Sequence, residues 1–234
     1  MNERILVVGA HPDDVDYIAS GTMIKWSLMG KEVYYLVCTD GDKGGTRNDL
    51  TTDKLIEMRR SEQRAAAKIV GARDVFFLGK RDGELTPDLE LREEIVRIIR
   101  KIRPQKVFSF DPANRAFDSF HRYHTDHRAA AIAVFDAVFP AAKNRMYFPH
   151  LLEEGLEPHK IDELFFCVTK EPNYWVDISG VIETKIECIK AHKSQFQGEH
   201  AGTIENRVRQ WCREVGKAKG YAYAEAFRRI AFPY

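Results

Sequence analysis

Residues 4–16 read RILVVGAHPDDVD, and the rest of the chain is best understood outward from this stretch. Arg4 to Gly9 is a continuous apolar run, the pattern of a parallel strand covered on both faces. A helical pattern follows from about Asp16 to Met29 and stops at Gly30, a residue suited to a left-handed helix end. Open α/β sheets bind ligands at such strand-to-helix turns. A dinucleotide site would read G-x-G-x-x-G there, so that backbone N–H groups approach a pyrophosphate. Here the turn reads G-A-H-P-D-D-V-D, in which bulky side chains block that approach and carboxylates repel phosphate. The turn wants a cation.

Strand and helix patterns then alternate. Val33 to Cys38 predicts a second strand, Thr52 to Val70 a long helix ended by Gly71, and Val75 to Leu78 a short strand. Asp88 to Ile102 predicts a helix stopped before Pro104, Val107 to Phe110 a fourth strand, and Asp126 to Phe139 a helix closed by Pro140. The rhythm predicts βαβ crossovers, hence a Rossmann-like, mostly parallel sheet with helices on both faces. Beyond Pro140, Leu164 to Val168 and Tyr174 to Ile178 read as an added strand pair. Helices at about Val181–Lys193 and Thr203–Lys219 follow, before a short tail. No linker or repeat interrupts the 234 residues, which predicts one domain over 1–234.

Charge balance excludes several partners. Thirty-six Lys and Arg face 35 Asp and Glu, which gives no electrostatic reason to expect nucleic acid or an anionic membrane. The four cysteines are widely spaced with no CxxC pair, and free thiols fit a reducing cytoplasm. The N-terminus lacks the apolar segment of a signal peptide.

A second cluster lies after the fourth strand: His121-Arg-Tyr-His124-Thr-Asp126-His127 holds three of the eight histidines. Strands one and four are commonly neighbours across the switch point, which would bring this loop to His11 and Asp14. His124 and His127 are three residues apart and share a helical face, while Asp126 turns aside, where it can orient a ligating imidazole. The bland alternative for both clusters is that Asp13, Asp14 and Asp126 only cap or charge helix starts. Two histidines and a carboxylate leave a tetrahedral cation one open position, as in catalytic zinc sites; Fe²⁺ is the other fit. Asp13 and His124 look like acid–base equipment for hydrolysis, which favours Zn²⁺.

Together these motifs resemble the LmbE-like, or PIG-L, family of zinc-dependent N-acetylglucosaminyl deacetylases. Weaker similarities include TDGDKGG after strand two, Arg59-Arg-Ser-Glu62, Asp82-Gly83, His192-Lys-Ser-Gln195 and Tyr223-Ala-Glu-Ala-Phe227. The resemblance implies His11, Asp14 and His127 as metal ligands and Asp13 as general base. It implies that His124 stabilises the tetrahedral intermediate or protonates the leaving amine, and that Arg59 is an active-site arginine, with Arg60 adjacent. Thr125 stands where the family often has Pro, and the loop at 113–123 is particular to this chain. The implied substrate is a small N-acetylated sugar; another N-acyl amide, or a non-catalytic metal-binding module, are the rival readings.

Other residues carry less. Arg59 and Glu62 could simply pair on a helix face, and His192 near a helix end could serve at the surface or touch substrate. Gly44 and Gly45 read as a turn or a sugar-approach loop, and Trp26, Trp175 and Trp211 as core or interface packing, with stacking on a sugar ring the alternative. Phe117, Phe120 and Tyr123 read as a lid or as packing; exposed aromatics and the resemblance point to a homo-oligomer.

Overall fold

The computed structural model describes residues 2–44, 50–114, 117, 123–196 and 203–232. Along the chain run β1 (Arg4–Gly9), α1 (Asp14–Leu28), β2 (Glu32–Thr39), α2 (Thr52–Val70), β3 (Asp74–Lys80), α3 (Leu89–Ile102) and β4 (Lys106–Phe110). Then come α4 (Thr125–Asp136), the short α5 (His150–Glu153), β5 (Glu163–Cys167), β6 (Tyr174–Asp177), α6 (Ile182–Lys190), α7 (Ile204–Lys217) and β7 (Ala224–Ala231).

The strands form one sheet in the order β3-β2-β1-β4-β5-β7-β6. The first five are parallel, and β1 lies between β2 and β4, as the apolar run at 5–8 predicts. Ile5, Leu6, Val7 and Val8 are fully buried, because helices cover both faces. Each such side chain contributes roughly 1.5–3 kcal/mol relative to exposure. An aromatic cluster continues the core: Phe108 of β4 stacks on Phe165 of β5 at 4.3 Å, with Trp26 edge-on to Phe108 at 5.7 Å. Trp26 is therefore core.

Helix ends follow local chemistry. Gly71 closes α2 at φ +79°, a left-handed conformation that frees Ala72 N–H to reach Ala67 O at 2.9 Å. Asp88 caps α3 through a 2.9 Å bond from Leu91 N–H. The helix expected to run to Phe139 is regular α to Asp136 and is broken by a kink at Phe139, whose φ of −143° and ψ of 121° are extended, just before Pro140.

The C-terminal pairing differs from the sequence expectation. β5 and β6 are not partners; the supposed tail contains β7, which lies antiparallel between them. Asn173 shows why. Its N–H donates to Phe227 O at 3.0 Å, and its side chain both accepts from Arg229 N–H and donates to Arg229 O. The loop before β6 is thus pinned to β7. Adjacent Arg228 and Arg229 break the apolar alternation that would have marked a strand. Among the described residues no helix is long and apolar enough to cross a membrane.

Candidate metal centre and active site

The pairing of β1 with β4 sets the two histidine-bearing segments side by side. Asp14, the first residue of α1, turns back so that Oδ2 accepts from Ala10 N–H (3.0 Å) and His11 N–H (2.7 Å). Two imidazoles then reach the same carboxylate: His11 Nδ1 lies 3.3 Å from Oδ2, and His127 Nε2 lies 3.1 Å from Oδ1. The opposite nitrogen of His11, Nε2, is 3.0 Å from Asp126 Oδ2 and 3.2 Å from Asp82 Oδ1. Asp126 is fully buried and is fixed by Gly83 N–H (2.6 Å) and Leu85 N–H (3.1 Å). When His11 is neutral, a proton held on Nε2 by Asp126 leaves Nδ1, which faces Asp14, as the lone-pair side.

His124 caps the start of α4, its Nδ1 accepting from Asp126 N–H at 3.3 Å. Its ring centre is 4.7 Å from that of His11 and 5.4 Å from that of His127. Donor nitrogens of His11, His124 and His127 all lie within 4.8 Å of one another. These imidazoles and Asp14 have the hard and borderline donors a divalent transition-metal ion prefers, so the residues fit such an ion.

The electrostatics of the metal-free chain point the same way. Burial alone would depress His11, yet the carboxylates of Asp126, Asp14 and Asp82 push it up to about 12. The neighbouring carboxylates diverge. Burial raises Asp13, against the pull of the Arg59 guanidinium. Asp14 is also buried, but His127 and His11 hold it well below the usual carboxylate range. Burial, reinforced by His11 and His127, lowers His124. Two adjacent carboxyls with opposite shifts are a common mark of divided acid–base labour.

Asp13 sits at the helix start without capping it, since its side chain makes no cap hydrogen bond. Its φ of +107° and ψ of −32° are costly for a residue with a Cβ, about 1–3 kcal/mol. Arg59 grips the same turn. Nη2 donates to Pro12 O (2.6 Å) and approaches Asp13 Oδ2 (3.4 Å), while Nη1 donates to Gly41 O (2.9 Å). A Cβ on Gly44 would stand 2.1 Å from Arg59 Nη1, so that glycine makes room for the arginine; Gly45 lies outside the described residues.

Several expectations change. Arg59 does not pair with Glu62, which instead accepts from Ser194 N–H (2.8 Å) and Oγ (2.6 Å). Arg60 turns away to Asp40 at 2.8 Å. His192 is neither at the surface nor in the cavity: it is buried, with Nε2 2.8 Å from Asp16 Oδ2. Phe117 is exposed, whereas Tyr123 is buried and donates to Asn114 at 2.6 Å. His121 and Phe120 lie outside the described residues. Asp82 entered the sequence reading only through the weak Asp82-Gly83 similarity, and Gln63 and Asp16 carry no local pattern that marks them, because their partners are remote in sequence. A cavity of about 680 Å³ opens beside the cluster, lined in part by Asp13, His127, Tyr17, Phe196, Arg207 and Trp211.

A doubly wound sheet with a His/Asp cation cluster at its β1/β4 switch point defines a class of metal-site α/β proteins, and residues 6–138 match one family within it, PIG-L, described as GlcNAc-PI de-N-acetylase. The chain belongs to this family. It is 35% identical to the diacetylchitobiose deacetylase of Thermococcus kodakarensis, over 97% of this chain and 83% of the relative. It is 28% identical to a probable N-acetyl-α-D-glucosaminyl L-malate deacetylase of Bacillus anthracis, over 83% of each chain. The structure superposes on the N,N'-diacetylchitobiose deacetylase of Pyrococcus horikoshii with a TM-score of 0.91 and 32% identity, covering 98% of this chain and 84% of that one.

Proposed function

We propose that this protein is a metal-dependent N-deacetylase that hydrolyses the acetamide of an N-acetylglucosamine-containing small molecule. The observation that carries the reading is the division between adjacent carboxylates: both imidazoles approach Asp14, while Asp13 contacts neither and faces the cavity beside Arg59. A closed structural site has no use for the spare carboxylate.

His11, Asp14 and His127 would hold the ion, which we infer to be Zn²⁺. When bound, a divalent ion supplies Lewis-acid polarisation of the amide and lowers the pKa of water toward ~7. Asp13 takes the proton as water attacks the acetyl carbon. Its carboxylate approaches neither imidazole and faces the cavity, which leaves an oxygen available to accept that proton. His124 is neutral near pH 7 and accepts at Nδ1, so its proton resides on Nε2, where it donates to the developing oxyanion. Asp13 then returns its proton to the departing amine, releasing acetate and the free amino sugar. Asp126 holds His11 in the required tautomer, and Arg59 holds the turn that carries Asp13.

The named activities of the relatives support a glucosaminide substrate. Tyr17 and Trp211 offer the cavity apolar faces on which a sugar ring can pack. Four buried free cysteines suit a reducing cytoplasm, and exposed Phe117, Phe139 and Met146 suit a homo-oligomer; neither nucleic acid nor a membrane enters the reading. The test is acetate release from a panel containing N-acetylglucosamine, diacetylchitobiose and N-acetylglucosaminyl malate, with metal content measured by elemental analysis. Acetate from one of these sugars is expected. Turnover of other N-acyl amides alone, or of nothing by metal-loaded protein, would overturn the reading.

A further inference from the structure

Asp13 occupies a backbone conformation that must be imposed on it. Its N–H donates to Gln63 Oε1 at 2.9 Å, from the middle of α2, fifty positions along the chain. Gln63 is fully buried, and its amide nitrogen donates to Asp16 Oδ2 at 2.8 Å. The two ends of this bridge make opposite demands. A backbone N–H can only donate and an ionised carboxylate can only accept, so the group between them must do both. Among side chains of this length a carboxylate lacks the donor, an ammonium lacks the acceptor, and a thioether has no N–H. An amide meets both demands, and its orientation is fixed by its partners.

Asp16 is itself held from the far side. Oδ2 also accepts from His192 Nε2 (2.8 Å), Oδ1 accepts from Cys188 Sγ–H (3.1 Å), and both donors come from α6 or the turn after it. Asp16, Gln63 and His192 are all about 1% exposed or less, and none of the three lines the cavity beside Asp13. Carboxylate, amide and imidazole buried together are costly unless they are satisfied, and here they converge on the strained backbone of Asp13.

We propose that Gln63, anchored by Asp16 and His192, is a positioning residue that holds Asp13 in its proton-accepting geometry. The inference rests on the reading of Asp13 as general base. It makes the α2–α6 contact, and not only the metal cluster, a determinant of turnover. His192 acts two steps removed, through Asp16 and then Gln63.

The experiment uses the zinc-loaded 234-residue chain and the N-acetylated sugar turned over fastest in the panel above. Gln63→Met fills similar space but can neither accept nor donate well, and should lower kcat about 10- to 100-fold while KM and zinc content stay near those of the wild type. Asp16→Ala should fall similarly. Asp16→Asn keeps an oxygen to accept from Gln63 and His192, and should recover most of the rate lost in Asp16→Ala. The double variant Asp13→Asn/Gln63→Met should be no slower than Asp13→Asn alone, because Gln63 then has no base to position. Independent multiplication of the two losses, or unchanged kcat in Gln63→Met, would overturn the inference. If Gln63→Met does not fold, the Asp16→Ala and Asp16→Asn pair decides, and equal rates in those two would overturn it. A wild-type rate in Asp13→Asn would instead overturn the reading of Asp13, and the inference with it.

Discussion

His127 Nε2 lies 3.1 Å from Asp14 Oδ1, so that the first turn of α4 and the first turn of α1 share a carboxylate across the β1/β4 junction. That contact joins two segments more than a hundred residues apart. Its geometry orders the expectations that follow.

The first concerns the ion. Removing both imidazoles that flank Asp14, in His11→Ala/His127→Ala, should abolish stoichiometric zinc, and a chelator should abolish turnover of the wild type. Because imidazole and carboxylate ligands must be deprotonated to bind, zinc affinity should fall in acid. Zinc titrations by calorimetry at several pH values check this, and stoichiometric zinc in the double variant would remove both residues from the ligand set.

Base and ligand are separable by isosteric change. Asp13→Asn keeps its shape but cannot take up a proton, so turnover should fall about 10²- to 10⁴-fold with zinc retained. Asp14→Asn loses the charge both imidazoles face and should weaken zinc instead. If elemental analysis finds the reverse pattern, the roles are exchanged.

His124 stands close enough to His11 and His127 to be mistaken for a third nitrogen ligand. As an oxyanion donor, its replacement in His124→Ala should cost about 10²- to 10³-fold in kcat, with little change in KM and full zinc occupancy. Single-turnover rates together with metal content decide the matter. Loss of zinc would make His124 a ligand.

Away from the site, His159 ties stability to pH. It is buried, and burial holds its pKa below the ordinary imidazole value, only partly offset by the 2.6 Å hydrogen bond from Nε2 to Pro104 O. In the window between that lowered value and about 6.5, the unfolded chain binds more protons than the native one. The stabilisation is thus fully present above about pH 6.5 and is lost as pH falls through the folded pKa. Thermal melts of wild type and His159→Gln from pH 7.5 to 5.5 should show a shallower decline in the variant. Parallel declines would show that His159 does not contribute.

Much of this was legible in the chain. Residues 5–8 announced a doubly covered strand, because burial on both faces leaves an unbroken apolar run. The HPDD turn and the HTDH segment read as a cation site because imidazoles and carboxylates are metal donors, and the fold brings the donor nitrogens of His11, His124 and His127 within 4.8 Å of one another. Helix ends at Gly71 and Asp88 were equally local, since a left-handed residue or a capping oxygen acts within a few positions. What escaped the sequence was decided by contacts between remote segments. β7 resembled a tail until β5 and Asn173 supplied its partners. His192 read as either a surface or a substrate-contacting histidine until α1 presented Asp16 to it, and Gln63 was one polar residue of a long helix until the Asp13 N–H met its oxygen. A local pattern fixes periodicity and donor type. Which donor meets which acceptor depends on how helices pack across the sheet, and at separations of tens of residues only the folded chain sets those distances.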